Sequence, residues 1–322
     1  MKRAELLLTV PMLPDAMAAL DADFVLHRWW EADHADAFID AVGARVEGLV
    51  TSGSFGRIDG ALMDRLPRLQ IVASLGVGYD NVDAAAAAAR GVVVTNTPGV
   101  LDDEVADLTI GLLLATVRRI PQADRFVREG RWQAGAFPLS PTLRGRRIGI
   151  AGLGNIGKAI ARRLEGFGVA IAYHGRSRQA GVGYDYHPTI LSLAEAVDTL
   201  IVIVPGGDDT RHLIDARVLD ALGPQGVLVN VSRGSVVDEP ALVEALADGR
   251  ILAAGLDVFA DEPHVPAALL AMENVVLLPH VGSATRHTRA AMAGLLVDNL
   301  AGWFGGAGAL TPVAETRHLA RR

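Results

Sequence analysis

No cysteine occurs anywhere in the 322 residues. That single absence removes disulfides, thiolate nucleophiles, iron–sulfur clusters and cysteine-ligated zinc. A positive field is missing as well: the formal net charge is −7, so neither phosphate backbones nor anionic lipid surfaces are attracted, and nucleic acid is not an expected partner. No stretch reaches 18 uninterrupted apolar residues, so no membrane span is expected. The opening Met1-Lys2-Arg3, followed by Ala4–Pro11, lacks the long apolar core of a signal peptide and reads as a first strand. Metal-ligand spacing such as HExxH is absent among His27, His34, His187, His212, His264, His287 and His318, and no metal site is expected.

What is present suits a packed interior. Half the residues are hydrophobic and 21% are charged, a balance that argues against disorder, and the length suggests two domains. The expectation is a soluble, cytoplasmic protein. Short apolar runs alternate with helical patterns. Glu5–Val10, Gly48–Thr51, Ile71–Ser74 and Val92–Thr95 read as buried parallel strands. The alanine run Ala84–Ala89, with Asp83 before it and Gly91 after it, reads as an ordinary helix. A long helix is expected over Asp102–Arg119, where Val105, Leu108, Leu112, Leu113 and Val117 recur at three- and four-residue spacing.

The polar stretch Gly130–Arg147 suggests a domain boundary in its neighbourhood. After it the alternation resumes, with strands expected at Ile148–Ala151, Val169–Tyr173, Thr199–Val204, Val227–Val231, Leu252–Leu256 and Val275–Leu278. Six strands separated by helical segments make a doubly wound parallel sheet the natural architecture. The last helix, roughly Thr288–Trp303, has no sheet left to follow there and is free to cross back to the first domain.

Directly after Ile148–Ala151 comes Gly152-Leu153-Gly154-Asn155-Ile156-Gly157, opening a helix through Lys158–Phe167. Glycine-rich turns are common, but this one stands between a strand and a helix, with a second strand following. In that context the first glycine makes the turn, the second admits a pyrophosphate, and the third lets helix and strand pack closely. The pyrophosphate then rests on the positive helix end. An NAD enzyme would place an acid at the end of the second strand. This chain has Gly175-Arg176-Ser177-Arg178 instead, two guanidiniums and a hydroxyl suited to a 2′-phosphate, so NADPH is expected over NADH. The plain alternative is a solvated arginine pair on a surface loop.

Three later segments each end a strand of the same sheet: Asn230-Val231-Ser232-Arg233-Gly234, Asp257-Val258-Phe259-Ala260-Asp261-Glu262-Pro263 and Leu278-Pro279-His280-Val281-Gly282-Ser283. Together with Leu75–Asp83 and Thr95–Asp107, and in this order after the glycine motif, they resemble the D-isomer-specific 2-hydroxyacid dehydrogenases over nearly the whole chain. The nearest subgroup is similar to glyoxylate/hydroxypyruvate reductases and their hydroxyphenylpyruvate-reducing relatives. The resemblance implies two doubly wound α/β domains. Residues 1–98 with 288–322 would form a flavodoxin-like substrate domain, and 99–287 a Rossmann domain that binds NADP and includes a dimerisation arm.

By the same resemblance Arg233 binds the carboxylate of a 2-oxo acid and polarises its carbonyl, His280 is the acid, and Glu262 pairs with His280. The chemistry needs such a set: a cation for the carboxylate, a hydride donor, and a proton donor at the carbonyl oxygen. A carboxylate beside an imidazole favours its charged form. Backbone N–H groups of Val77 and Gly78 are suited to the second carboxylate oxygen. Asp257 is implied to receive the nicotinamide carboxamide, Val105 to touch the ring, and Val204-Pro205 to border the adenine. Val231, Ser232, His280 and Gly282 complete the implied cofactor contacts. After Val204-Pro205 the family often has a threonine-rich loop, whereas this chain has Gly206-Gly207-Asp208-Asp209-Thr210.

The aromatic share is only 5%, yet Phe126–Leu139 carries Trp132 and Phe137. These rings either close a seam between domains or, as the resemblance implies, pack in a homodimer where Phe137 reaches a neighbour's pocket. Formate-type relatives have glutamine where Glu262 stands, and a regulatory C-terminal extension would need more chain than follows Thr288. Two alternatives stay open: a bulkier 2-oxo acid such as hydroxyphenylpyruvate, and a non-catalytic dinucleotide-sensing scaffold or corepressor, which would not need Arg233, Glu262 and His280 together.

Overall fold

Strands whose side chains alternate between two buried layers dominate both units of the fold. The structure is a computed structural model that describes residues 3–53 and 55–321. Met1 and Lys2, at the start of the expected first strand, and Arg322, at the end of the expected substrate domain, lie outside the described residues. The chain divides into one unit of Met1–Leu101 with Thr285–Arg322 and another of Asp102–Ala284.

The first unit holds β1 (Glu5–Leu8), β2 (Val25–Arg28), β3 (Gly48–Ser52), β4 (Ile71–Leu75) and β5 (Val93–Thr95). Their order is β2-β1-β3-β4-β5 and every pair is parallel, the flavodoxin-like arrangement. Leu6 and Leu8 enter one core with Val50, Ile71 and Trp303, while Leu7 enters the other with Leu49 and Val72. A sheet covered on both faces needs such continuous apolar strands; each buried leucine contributes roughly 1.5–3 kcal/mol. Helix Arg286–Phe304 supplies Leu296, Leu300 and Trp303 to the first of these cores.

The second unit holds β6 (Arg147–Ala151), β7 (Ala170–His174), β8 (Asp185–His187), β9 (Thr199–Val202), β10 (Val227–Asn230), β11 (Ala253–Leu256) and β12 (Val275–Leu277). The order β12-β11-β10-β9-β6-β7-β8, parallel throughout, is the Rossmann order with one strand added. Chain order reverses at the β6–β9 pair, the switch point where such sheets bind ligands.

Three expectations need correction. The second sheet has seven strands, not six, because β8 reads Asp185-Tyr186-His187 and carries no apolar run. β2, Val25–Arg28, escapes for the same reason. Both are edge strands, which meet solvent along one side and tolerate polar residues. The division also falls at Leu101/Asp102 and Ala284/Thr285, three residues from the 98/99 and 287/288 bounds that the resemblance implies, rather than near Gly130–Arg147. Helix Asp102–Arg118 buries Ala106, Leu112, Leu113 and Val117 against Ile148 and Ile150 of β6, so it belongs with the second sheet. Among the described residues, no helix is long and apolar enough to cross a membrane.

Candidate functional site

Because every strand of the second sheet is parallel, the loops after β6, β7, β9, β10, β11 and β12 all leave its carboxyl edge. Those loops, with Val105 on helix Asp102–Arg118 and the first turn of helix Asn155–Glu165, carry the expected site residues of this unit. Gly152 follows β6 with φ +101°, and a Cβ there would stand 2.5 Å from the Ile203 carbonyl oxygen. A Cβ on Gly157 would stand 2.1 Å from the Gly152 oxygen, so both must be glycine for the turn and helix to pack.

Gly154 differs: a Cβ there meets no protein atom within 4 Å. It caps helix Asn155–Glu165 without any side-chain hydrogen bond, leaving first-turn N–H groups for an anion. Gly154 therefore leaves free the space a pyrophosphate takes, and the turn suits a dinucleotide. Leu153 is buried, and its carbonyl accepts from Gln179 Nε2 at 2.8 Å.

After β7, the Gly175 carbonyl accepts from the Tyr186 hydroxyl at 3.3 Å. Arg176, Ser177 and Arg178 are exposed; among the described residues none makes a side-chain hydrogen bond or ion pair. After β9, Val204 packs against the core, while Pro205 is exposed and its carbonyl accepts from Thr210 Oγ1 at 2.7 Å. Thr210 thus shapes the edge where the loop departs from the threonine-rich pattern.

The loops after β10, β11 and β12 converge. Asn230 ends β10 almost wholly buried; its Nδ2 donates to the Arg233 carbonyl at 3.0 Å, and its Oδ1 accepts from Ser232 N and Oγ. Val231 and Ser232 are buried and Arg233 is half-buried, with Nη1 donating to the Ser232 carbonyl. A Cβ on Gly234 would stand 1.9 Å from the Phe259 carbonyl carbon and oxygen. Only glycine lets the Arg233 loop pass this close to the β11 loop.

Asp257 follows β11, 1% exposed. Its two oxygens accept from the Val281 and Gly282 N–H groups at 2.7 and 2.9 Å, which ties the His280 loop to β11. Burial pushes its carboxyl above the ordinary range, against those two bonds and the charge of His280. A Cβ on Gly282 would come within 3.2 Å of Asp257 and 3.5 Å of Val105, which places Val105 beside this loop.

Glu262 accepts from the Phe259 N–H with Oε1 and meets His280 Nδ1 with Oε2 at 2.7 Å. Burial pushes the Glu262 carboxyl up, but the hydrogen bond and charge of His280, the Phe259 N–H and the Arg233 charge together outweigh it and hold the group below its usual range. His280 has φ +54°, a left-handed conformation that costs a non-glycine residue about 1–2 kcal/mol. With Nδ1 engaged, Nε2 is the ring nitrogen left for a substrate.

The loop expected to hold the substrate carboxylate lies in the first unit, after β4. Gly76 has φ +141°, and Val77 and Gly78 donate their N–H groups to no protein atom among the described residues. No group of three or more histidine and carboxylate residues is placed to hold a metal there or elsewhere in the described residues.

Some residues were not singled out from sequence. Asn230 and Gly234 stood inside a recognised motif, and a buried amide closing the apolar run Val227–Val229 was the available signal. Gln179 had none. Gly234 acts only through a loop 25 positions away.

Comparison with known proteins gives the class first. Residues 110–282 match the D-isomer specific 2-hydroxyacid dehydrogenase NAD binding domain, and the chain belongs to that family of oxidoreductases. Among its relatives, a glyoxylate/hydroxypyruvate reductase of Arabidopsis thaliana is 45% identical over 97% of this chain and 100% of its own. A hydroxyphenylpyruvate reductase of Plectranthus scutellarioides is 46% identical over the same shares. The crystal structure of the NADPH-dependent glyoxylate/hydroxypyruvate reductase of Sinorhizobium meliloti, in complex with NADP and malonate, is 56% identical with a TM-score of 0.94, covering 100% of this chain and 99% of that one.

Proposed function

We propose that the protein reduces glyoxylate or hydroxypyruvate to the D-2-hydroxy acid, with NADPH as donor and His280 as general acid. The observation that carries this reading is the 2.7 Å contact between Glu262 and His280 Nδ1, on the same sheet edge as the glycine turn. NADPH, when bound by Gly152–Gly157, supplies hydride to the carbonyl carbon. Arg233 holds the carboxylate and draws electron density toward the carbonyl oxygen. Nε2 of His280 gives that oxygen its proton, and Glu262, held on Nδ1, stabilises the ring in place. Val77 and Gly78 N–H groups take the second carboxylate oxygen. Asp257, Val105, Val231, Ser232, Gly282, Val204 and Pro205 line the cofactor. The cytoplasm is the proposed location.

The 46% identity to a hydroxyphenylpyruvate reductase favours, as a second reading, a bulkier 2-oxo acid. Comparing kcat/KM for glyoxylate, hydroxypyruvate, pyruvate and phenylpyruvates with both cofactors decides between them; no turnover of any would favour the scaffold reading. Arg176 and Arg178 should favour NADPH over NADH by on the order of 2–4 kcal/mol through the 2′-phosphate. Gly175→Asp with Arg176→Ala should shift preference toward NADH. Equal kcat/KM for the two cofactors in the parent protein would remove the pair from the site.

The arm is proposed to form a homodimer. Trp132 and Leu139 are 67% and 98% exposed, with Ile120 and Val127 also exposed. Phe137 instead lies edge-on to Phe126 at 5.3 Å with the Arg119 guanidinium over it. Large apolar side chains in one segment suit a self-complementary interface. Light scattering at micromolar protein should give about 68 kDa, twice the 33.9 kDa chain; a fully active monomer would refute both the dimer and a shared pocket.

A further inference from the structure

The two N–H groups proposed to receive the substrate carboxylate belong to successive peptides, and each peptide is held by its other end. Thr97 N–H donates to the Gly76 carbonyl at 2.8 Å, while Thr97 Oγ1 accepts from the Gly76 N–H at 3.0 Å. Asn96 Nδ2 donates to the Val77 carbonyl at 2.8 Å. In a trans peptide the C=O and N–H point in opposite directions. Thr97, by fixing the Gly76 carbonyl, therefore aims the Val77 N–H. Asn96 aims the Gly78 N–H in the same way.

Asn96 is itself held from the far end of the chain. Its carbonyl accepts from Thr311 Oγ1 at 2.6 Å, and its N–H donates to the Thr311 carbonyl at 3.3 Å. Thr311 is fixed in turn by Asn299, which is 0% exposed on helix Arg286–Phe304. Asn299 Nδ2 donates to Thr311 Oγ1 and the Leu295 carbonyl; Oδ1 accepts from Leu310 and Thr311 N–H. All four hydrogen-bonding positions of this buried amide are filled, so it has one arrangement. The segment around Thr311 also runs along the open edge of β5, with Thr95 bridged to Pro312 and the Val313 N–H on the Val94 carbonyl.

We infer that Asn96 is a positioning residue for oxo-acid binding, and that the C-terminal segment sets it through Thr311 and Asn299. The inference rests on the proposed role of Val77 and Gly78. A carboxylate is present in substrate and transition state alike, so misaiming one N–H removes binding that both share. That raises KM more than it lowers kcat.

Asn96→Leu keeps the branched heavy-atom shape and removes the donor. It should raise KM for glyoxylate about 10-fold, equivalent to about 1.4 kcal/mol, and weaken inhibition by oxamate, a non-reacting 2-oxo-acid isostere, by a similar factor. KM for NADPH and the unfolding midpoint should stay near the parent values. Thr311→Val should shift the oxo-acid KM in the same direction by a smaller factor, and Thr311→Ser should restore it. An oxo-acid KM within twofold of the parent in folded Asn96→Leu overturns the inference. So does a loss in which oxo-acid KM, NADPH KM and unfolding midpoint change together. Should Asn96→Leu fail to fold, Thr311→Val against Thr311→Ser decides on the same readouts. A parent protein that neither turns over any 2-oxo acid nor binds oxamate overturns the functional reading itself, whereas an active parent with an indifferent Asn96→Leu overturns this inference alone.

Discussion

His280→Ala should lower kcat for 2-oxo-acid reduction by about 10²–10⁴-fold, equivalent to about 2.7–5.5 kcal/mol of transition-state stabilisation. The Glu262 carboxylate holds His280 Nδ1 at 2.7 Å, which leaves Nε2 to carry a proton to a substrate oxygen. Glu262→Gln keeps the shape of the pair but not its charge. The acid limb of the reduction profile, which the Glu262 carboxyl sets, should therefore be lost in that variant. In the parent protein Glu262 is held below its ordinary range, so the acid limb set by its protonation should lie below the ~4.3 of a free glutamate. An unchanged pH profile in Glu262→Gln would show that the pair does not set the proton. A His280→Ala variant with near-parental kcat would remove the general acid.

Gly234→Ala should be nearly as damaging, although it adds one methyl group and touches no charged residue. The added Cβ would stand 1.9 Å from the Phe259 carbonyl and 2.4 Å from the Ala260 nitrogen, and backbone atoms of a parallel-sheet loop have little room to retreat. Overpacking of this kind costs about 1–3 kcal/mol of stability or more. Moving the Phe259–Glu262 turn also moves Glu262 relative to His280, and a displacement of about 1 Å at a reacting centre costs on the order of 10²-fold in rate. Both effects should appear together, as a lower unfolding midpoint and a kcat/KM reduced about 10²-fold. Gly154→Ala is the contrasting case. Its Cβ meets nothing in the protein, so the midpoint should hold while KM for NADPH rises. Parental stability and activity in Gly234→Ala would show that the two loops are not locked together.

Much of this site was legible because its chemistry is local in the chain. The glycine turn after Ile148–Ala151 and the motifs holding Arg233, Glu262 and His280 each occupy a few consecutive residues at the end of an apolar run. The inner strands were equally plain, since a sheet buried on both faces demands uninterrupted apolar residues such as Leu6–Leu8 and Val227–Val229. Edge strands β2 and β8 carry no such demand and left no run to read. The polar stretch Gly130–Arg147 had the composition of a linker, but a linker and an exposed arm differ only in what the preceding helix packs against.

Sequence by itself therefore determined the α/β class, the family, the dinucleotide turn and the identity of the residues proposed for catalysis, because residue type and strand end suffice for each. Tertiary structure alone decided which atoms those residues present. Asp257 spends both oxygens on the His280 loop, Gly234 is required by a backbone passing over it, and Asn96 is tied to Asn299 through a segment more than two hundred residues away. Such contacts form when strands distant in sequence align their carboxyl ends, or when the chain terminus returns along β5. No local pattern encodes either event.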